Sequence, residues 1–353
     1  MPLPIFDGHN DFLLRLIAPG ADRQAIWSGQ TGGGHIDLPR MRAGGMAGGM
    51  FAIFIPSLRD NVVAGLDAEM TVAPYDLPLP GHLSLGAAQV SALAMAGHLH
   101  GLARDNPADL AICLTVADIR AAMASGRIAA VLHLEGAEPI DPDLDALYLF
   151  CDMGLRSLGP VWSRPTAFGH GVPFRFPGSP DTGPGLTDAG KRLVQTCNAL
   201  RILIDLSHLN AKGVDDVAAI STAPLVATHS NAHAVTASSR NLTDRQLAMI
   251  RDSGGMVGLN FATAFLRPDG ARDPVMGWEP VLRHLDHLIA QLGEDHVGFG
   301  SDFDGAAVPQ GIGDAAGLPH LIEALRAHGY DQALLRKLAH ENWLAVLERT
   351  WGG

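Results

Sequence analysis

Eight short apolar runs recur along the chain, separated by longer segments with helical spacing of their apolar residues. The runs fall near residues 4–12, 49–55, 129–135, 155–161, 202–206, 224–229, 255–261 and 296–300. They are brief and almost continuously apolar, as strands buried on both faces must be. Helical periodicity covers 85–102, 116–125 behind Thr115, a Leu- and Asp-rich stretch before 155, then 188–200, 209–220 and 280–292. Thr243 is placed to cap a further helix through Asp252, with Asp244 in its first turn. A helical turn is expected over 36–42, and the residues after 300 read as helical to the end. The stretch to Gly34, which contains Trp27, reads as a polar, Gly-rich loop. Strands that alternate with helices predict a parallel sheet with right-handed crossovers, and eight is the count at which such a sheet closes. The expected fold is therefore α/β, one (β/α)8 TIM-type barrel domain spanning residues 1–353. Long βα-loop insertions are expected near 56–84 and 162–187, with helices at the C-terminus. An open doubly wound sheet accommodates the same strands but gives functional residues from both ends of the chain no reason to converge.

Composition narrows the function classes. Among 353 residues, 47% are hydrophobic and 18% charged, which suits a packed core rather than a disordered chain. The net charge of −12 disfavours nucleic acid and anionic membrane as partners. Three cysteines, Cys113, Cys151 and Cys197, are odd in number and without Cys-x-x-Cys spacing, so reduced thiols are expected. Met1-Pro2-Leu3 runs straight into the first strand with no signal-peptide pattern, and no apolar run reaches membrane-span length. These features point to a cytoplasmic protein.

The chemistry lies where the apolar runs stop. In an α/β barrel the carboxyl ends of the strands form the active face. Read to their ends, five of the runs deliver His9 and Asp11, then Glu135, His208, His229 and Asp302. His9 and Asp11 are two residues apart, so in an extended strand they share a face. Imidazole and carboxylate are ligands for zinc-type cations and also serve as acid–base groups. One histidine after an apolar strand is ordinarily a core or rim residue, and one carboxylate ordinarily a helix cap. Six at matching strand ends make a metal site the better reading.

Taken together, Phe6-Asp7-Gly8-His9-Asn10-Asp11, His133-Leu134-Glu135-Gly136, Ile204-Asp205-Leu206-Ser207-His208, Thr228-His229-Ser230 and Gly298-Phe299-Gly300-Ser301-Asp302-Phe303-Asp304-Gly305 resemble the membrane (renal) dipeptidases. These are zinc dipeptidases of the amidohydrolase superfamily, and the resemblance runs nearly end to end. It implies a barrel with two zinc ions, one on His9 and Asp11, the other on His208 and His229, bridged by Glu135. A carboxylate has two oxygens and can hold two cations while reducing their repulsion. The implied nucleophile is a hydroxide shared by the metals, and Asp302 would take its proton and pass it to the leaving amine. Asp304, two residues on, competes for that role, although the family pattern favours Asp302. The implied reaction is cleavage of a dipeptide, L-Xaa-L-Xaa or L-Xaa-D-Xaa, by a homodimer.

Arg240, in Ser238-Ser239-Arg240-Asn241, falls where the family places an arginine on the substrate's free carboxylate. A guanidinium fork matches a carboxylate bidentately. The alternative is a surface arginine at a helix start. After the fourth strand the mammalian enzymes carry a histidine that helps to bind the reacting carbonyl, and here Trp162 stands instead. Its indole has one donor and no basic nitrogen. His170, flanked by glycines, is the nearest substitute. His284 and His287, three apart, read as the face of an amphipathic surface helix, and His133 as a hydrogen-bonding support for a ligand. Hydrolysis of another carboxylate-bearing amide, such as an N-acyl amino acid, or of a lactone is the rival reaction on the same scaffold. A non-catalytic metal-binding protein is the rival from another class, disfavoured because binding alone has no use for Asp302.

Overall fold

The structure is a computed structural model that describes residues 2–57 and 69–352. All eight expected strands form: β1 (Ile5–Asn10), β2 (Met46–Phe54), β3 (Ile128–Glu135), β4 (Leu155–Gly159), β5 (Leu203–Ile204), β6 (Val226–Ala227), β7 (Met256–Asn260) and β8 (Val297–Gly300). Neighbours pair in parallel from β1 through β5, and again from β6 through β8. Two parallel bridges join these arcs, Asp205 with Val226 and Asn10 with Phe303. At the second seam Asp302 N donates to His9 O at 3.0 Å and Asp11 N to Phe303 O at 2.8 Å. The curled sheet thus closes with its first and last strands adjacent.

Alternation along each strand sorts the core into two shells. Phe51 and Ile53 of β2, Leu132 and Leu134 of β3, and Val257 and Leu259 of β7 face outward against the helices. Met50, Ala129, Val131 and Met256 face inward, where they meet Phe6, Leu203, Val226 and Trp343. Trp343 comes from the last helix (Asn342–Trp351) and fills the barrel interior from below. A Cβ on Gly8 would lie 2.2 Å from its ring, and one on Gly258 or Gly298 would lie 2.9 or 2.7 Å away. Three strands therefore leave out a side chain to admit one indole, whose Nε1 donates to Phe299 O at 2.9 Å.

The helices largely follow the pattern of apolar positions. Asp188–Leu200 is capped by Thr187, Ala211–Ile220 by Asn210, and Asp244–Asp252 by a reciprocal Thr243–Gln246 capping box. Two readings needed correction, and one short strand had no counterpart in the sequence reading. The stretch before Gly34 holds two short helices, Phe12–Leu16 and Arg23–Trp27, because Trp27 is buried against Phe12 rather than lying in a polar loop. A short strand, Leu110–Ile112, pairs with the first half of β3 before β4 takes over that edge. Residues 301–314 are loop rather than helix, with Asp302 and Asp304 in left-handed backbone. Of the insertion expected near 56–84, residues 58–68 lie outside the described residues. Its remainder meets the 162–187 insertion, where Tyr75–Asp76 pairs antiparallel with Arg175–Phe176. No helix among the described residues is long and apolar enough to cross a membrane.

Candidate metal centre

The inner face of β3 reads Ala129, Val131, His133, Glu135 from the floor to the mouth, so the same alternation that buries apolar residues below lifts Glu135 to the carboxyl end. Glu135 Oε1 lies 3.0 Å from His208 Nε2 and 3.5 Å from His229 Nε2. Its Oε2 lies 3.6 Å from His9 Nε2, and that nitrogen is 3.5 Å from Asp11 Oδ2. All five expected ligands therefore converge, with one oxygen of Glu135 facing each pair. Asp11 arrives by a route other than strand alternation: β1 ends at Asn10, and Asp11 begins the turn into the following helix.

The donor set suits cations. His208 and His229 direct their Nε2 atoms at each other across 3.1 Å. The His208 Nδ1 is engaged by Ser163 Oγ at 2.9 Å, and the His229 Nδ1 by Thr228 Oγ1 at 2.8 Å. Thr228 gives its hydroxyl proton to Asp205 Oδ2 at 2.6 Å, so toward His229 it can only accept. The proton of His229 is thereby held on Nδ1, and the Nε2 lone pair points inward. Burial, reinforced by nearby positive charge, keeps His208 and His229 well below the ordinary histidine range, hence neutral. Neither ring nitrogen of His9 has a hydrogen bond among the described residues. Burial opposes a proton on His9, but Glu135, Asp11 and Asp302 outweigh it and push its pKa up to about 10. Burial, with mutual repulsion, also raises Glu135 and Asp302. Buried carboxylates that repel one another beside inward-facing imidazole nitrogens are what a divalent cation relieves.

Asp205 could be mistaken for a sixth ligand, since it groups with His9 and His229. Its Oδ1 already accepts from Ser207 N at 3.0 Å and Thr228 N at 2.8 Å, which leaves it an orienting role. His133, pushed down to about 3 by burial, holds Ser157 Oγ at 2.8 Å and supports the cluster from below. Asp205 and Thr228 were visible inside the quoted motifs, but nothing in one-dimensional spacing assigns them this relay.

Asp302 shares a cleft with Asp11, Glu135 and His208. Its Oδ2 accepts from Asn260 Nδ2 at 2.9 Å, a partner from β7 that carried no signal in the sequence. A Cβ on Gly305 would lie 2.1 Å from Asp11 Oδ2 and 2.7 Å from Asp302 Oδ1, so that glycine lets the two carboxylates approach. His208 and Asp302 both have positive φ, 68° and 58°, a conformation that costs non-glycine residues about 1 kcal/mol or more. Asp304 also has positive φ but is committed elsewhere: its Oδ1 accepts from His35 N, and its backbone N–H meets His35 Nδ1 at 2.8 Å.

Arg240 is buried, not on the surface, and donates to Ser230 Oγ and His229 O at 2.9 Å each. Its Nε has no hydrogen bond among the described residues. Trp162 lines the cleft, its ring 5.8 Å from that of His208. His170 does not join it. Its Nδ1 lies 3.2 Å from Gly185 O, and it lines a separate surface cavity with Asp76 and Arg175, because its loop turns away from the barrel mouth. His284 is a core residue that accepts from Ala232 N at 3.1 Å, contrary to the surface reading, while His287 pairs with Asp244.

Comparison with known proteins gives a consistent result. A profile of the membrane dipeptidases, peptidase family M19, matches residues 2–351. The chain is 64% identical to a metallopeptidase from Rhodobacter sphaeroides solved with a phosphinate mimic of the dipeptide L-Ala-D-Ala, with a TM-score of 0.98 over 99% of this chain and 100% of that one. It is also 64% identical to dipeptidase AC, a metallopeptidase of family M19, with a TM-score of 0.97 over 100% of both chains. A Klebsiella pneumoniae protein described by its place in the pqqA 5' region is 53% identical over 242 residues, 69% of this chain and 89% of that protein. The chain belongs to the membrane dipeptidase family of metallopeptidases.

Proposed function

We propose that this chain is a dinuclear zinc dipeptidase that hydrolyses dipeptides with a free C-terminal carboxylate, L-Xaa-D-Xaa as well as L-Xaa-L-Xaa. The observation that carries the reading is the division of Glu135, with Oε1 toward His208 and His229 and Oε2 toward His9 and Asp11. Two zinc ions held by these five residues would supply Lewis acidity and a water acidified toward neutrality. Asp302, raised by burial and by the neighbouring Asp11 carboxylate, is suited to accept the proton of that water and return it to the leaving amine. Asn260 holds the accepting carboxylate in place. The unpartnered Nε of Arg240 is the donor offered to the substrate carboxylate, and Trp162 forms a wall of the substrate cleft. The relative bound to an L-Ala-D-Ala mimic supports the stereochemical part of the reading. We read the chain as one catalytic domain that works as a cytoplasmic homodimer, with its three cysteines reduced.

Metal analysis of the purified protein, with a screen of L-Xaa-L-Xaa and L-Xaa-D-Xaa dipeptides, tests the proposal. Two equivalents of zinc and chelator-sensitive release of free amino acids are expected. One equivalent would refute the dinuclear centre, and turnover of N-acyl amino acids or lactones alone would move the reaction to the rival class. In Arg240→Met, KM for a dipeptide should rise about 30-fold, the size of one lost charged hydrogen bond, with little change for a neutral ester.

A further inference from the structure

Behind the substrate cleft lies an ion pair that the proposed chemistry does not use. Arg164 is wholly buried, and Glu138 nearly so. Arg164 Nη1 donates to Glu138 Oε1 at 3.0 Å and to Ile55 O at 3.1 Å, and Nη2 donates to the same carbonyl at 3.0 Å. The guanidinium thus joins three successive βα junctions: Ile55 just after β2, Glu138 after β3, and its own after β4. Its Cζ also lies 5.8 Å from the ring of Phe54 and 5.3 Å from that of Trp162. Those rings meet edge to face at 5.0 Å and line the cleft beside Phe174.

As a stabilising device the pair is poor. Removing two charges from water costs several kcal/mol for each ion, and apolar residues of similar volume commonly do as well. Arg164 Nε and Glu138 Oε2 have no hydrogen bond among the described residues, so the pair does not even satisfy its own polar atoms. What an apolar replacement could not supply is direction. A planar fork fixed by a carbonyl and a carboxylate sets a cation at a defined height against two aromatic faces. We propose that Arg164, locked by Glu138 and Ile55, is a positioning residue that holds the Phe54–Trp162 wall at the distance from the metal centre that sets side-chain selectivity.

This inference rests on the dipeptidase reading for its kinetic test, so the experiment carries a second readout that does not. The paired variant Arg164→Met/Glu138→Leu removes both charges together and leaves neither one buried alone. In the zinc-loaded protein, the ratio of kcat/KM for L-Leu-D-Ala to that for L-Ala-D-Ala should shift about tenfold, carried in KM, with kcat within about twofold. A purely structural pair would lower the active fraction equally for both substrates and leave the ratio unchanged, which would overturn the proposal. The near-UV circular dichroism difference between wild type and Trp162→Phe reports the setting of that indole whether or not dipeptides are cleaved. That difference should collapse in the paired-variant background, and its persistence would equally overturn the proposal. Arg164→Lys, which keeps the charge without the fork, should shift the ratio by an intermediate amount. Loss of the fold in both Arg164 variants would assign the pair to stability and likewise overturn it. Wild type that cleaves no dipeptide would instead refute the dipeptidase reading, leaving the spectroscopic result to judge the wall.

Discussion

The barrel interior has two ends built from the same strands and treated in opposite ways. At the floor, Met50, Val131, Met256 and Phe6 close around Trp343, and the indole's one polar atom is satisfied by Phe299 O. At the mouth, four residues further along the same inner faces, stand Phe54, Glu135 and Asn260. There polar atoms are left in want of partners: both nitrogens of His9 have no hydrogen bond among the described residues, and the Nε2 atoms of His208 and His229 face only each other and Glu135. Among the described residues the indole N–H at the floor is bonded, whereas the mouth gathers polar atoms that are not. The difference teaches that the floor is made for stability, whereas the mouth is completed only by a ligand.

If that contrast is right, damage at the two ends should have different signatures. Glu135→Ala should have the largest effect, with loss of bound metal and a fall in kcat of about 10⁴-fold or more, read by metal analysis and dipeptide turnover. Full metal retention in this variant would break the contrast at its centre. Asp302→Asn should keep both metals and lower kcat by about 10³-fold with KM little changed, as expected for removal of a proton acceptor. Unchanged turnover there would end the proton-transfer role. Trp343→Ala, at the floor, should cost about 3–5 kcal/mol of stability, seen as a lower Tm, while the molecules that stay folded keep their metal and kcat. A Trp343 variant that lost metal without losing stability would show that the two layers are not separate.

The resemblance to relatives and the run of strand ends made the mouth unusually legible. His9, Glu135, His208 and His229 each end or follow an apolar run, and their convergence needed only the closure of an eight-stranded sheet. Asn260 was invisible because one asparagine at a strand end has many uses, and only the closed barrel carries it to Asp302. Trp343 was hidden for the same reason: it lies in an amphipathic helix, and the glycines that admit it are spread over three strands. Trp162 was noticed as a departure from the family pattern, but the guanidinium behind it was not. His170 looked like a substitute because it is near in sequence, and the loop carries it to another cavity.

Local order along the chain was enough to determine the alternation of strand and helix, the caps, the residue types at the strand ends and the family, because each depends on neighbours within a few residues or on motifs read directly. Which oxygen of Glu135 faces which imidazole, which hydroxyl sets the tautomer of His229, and how Asp11 reaches His9 after leaving its strand were decided only in three dimensions. Those features depend on distances between groups tens to hundreds of residues apart, and only the closure of the sheet sets such distances.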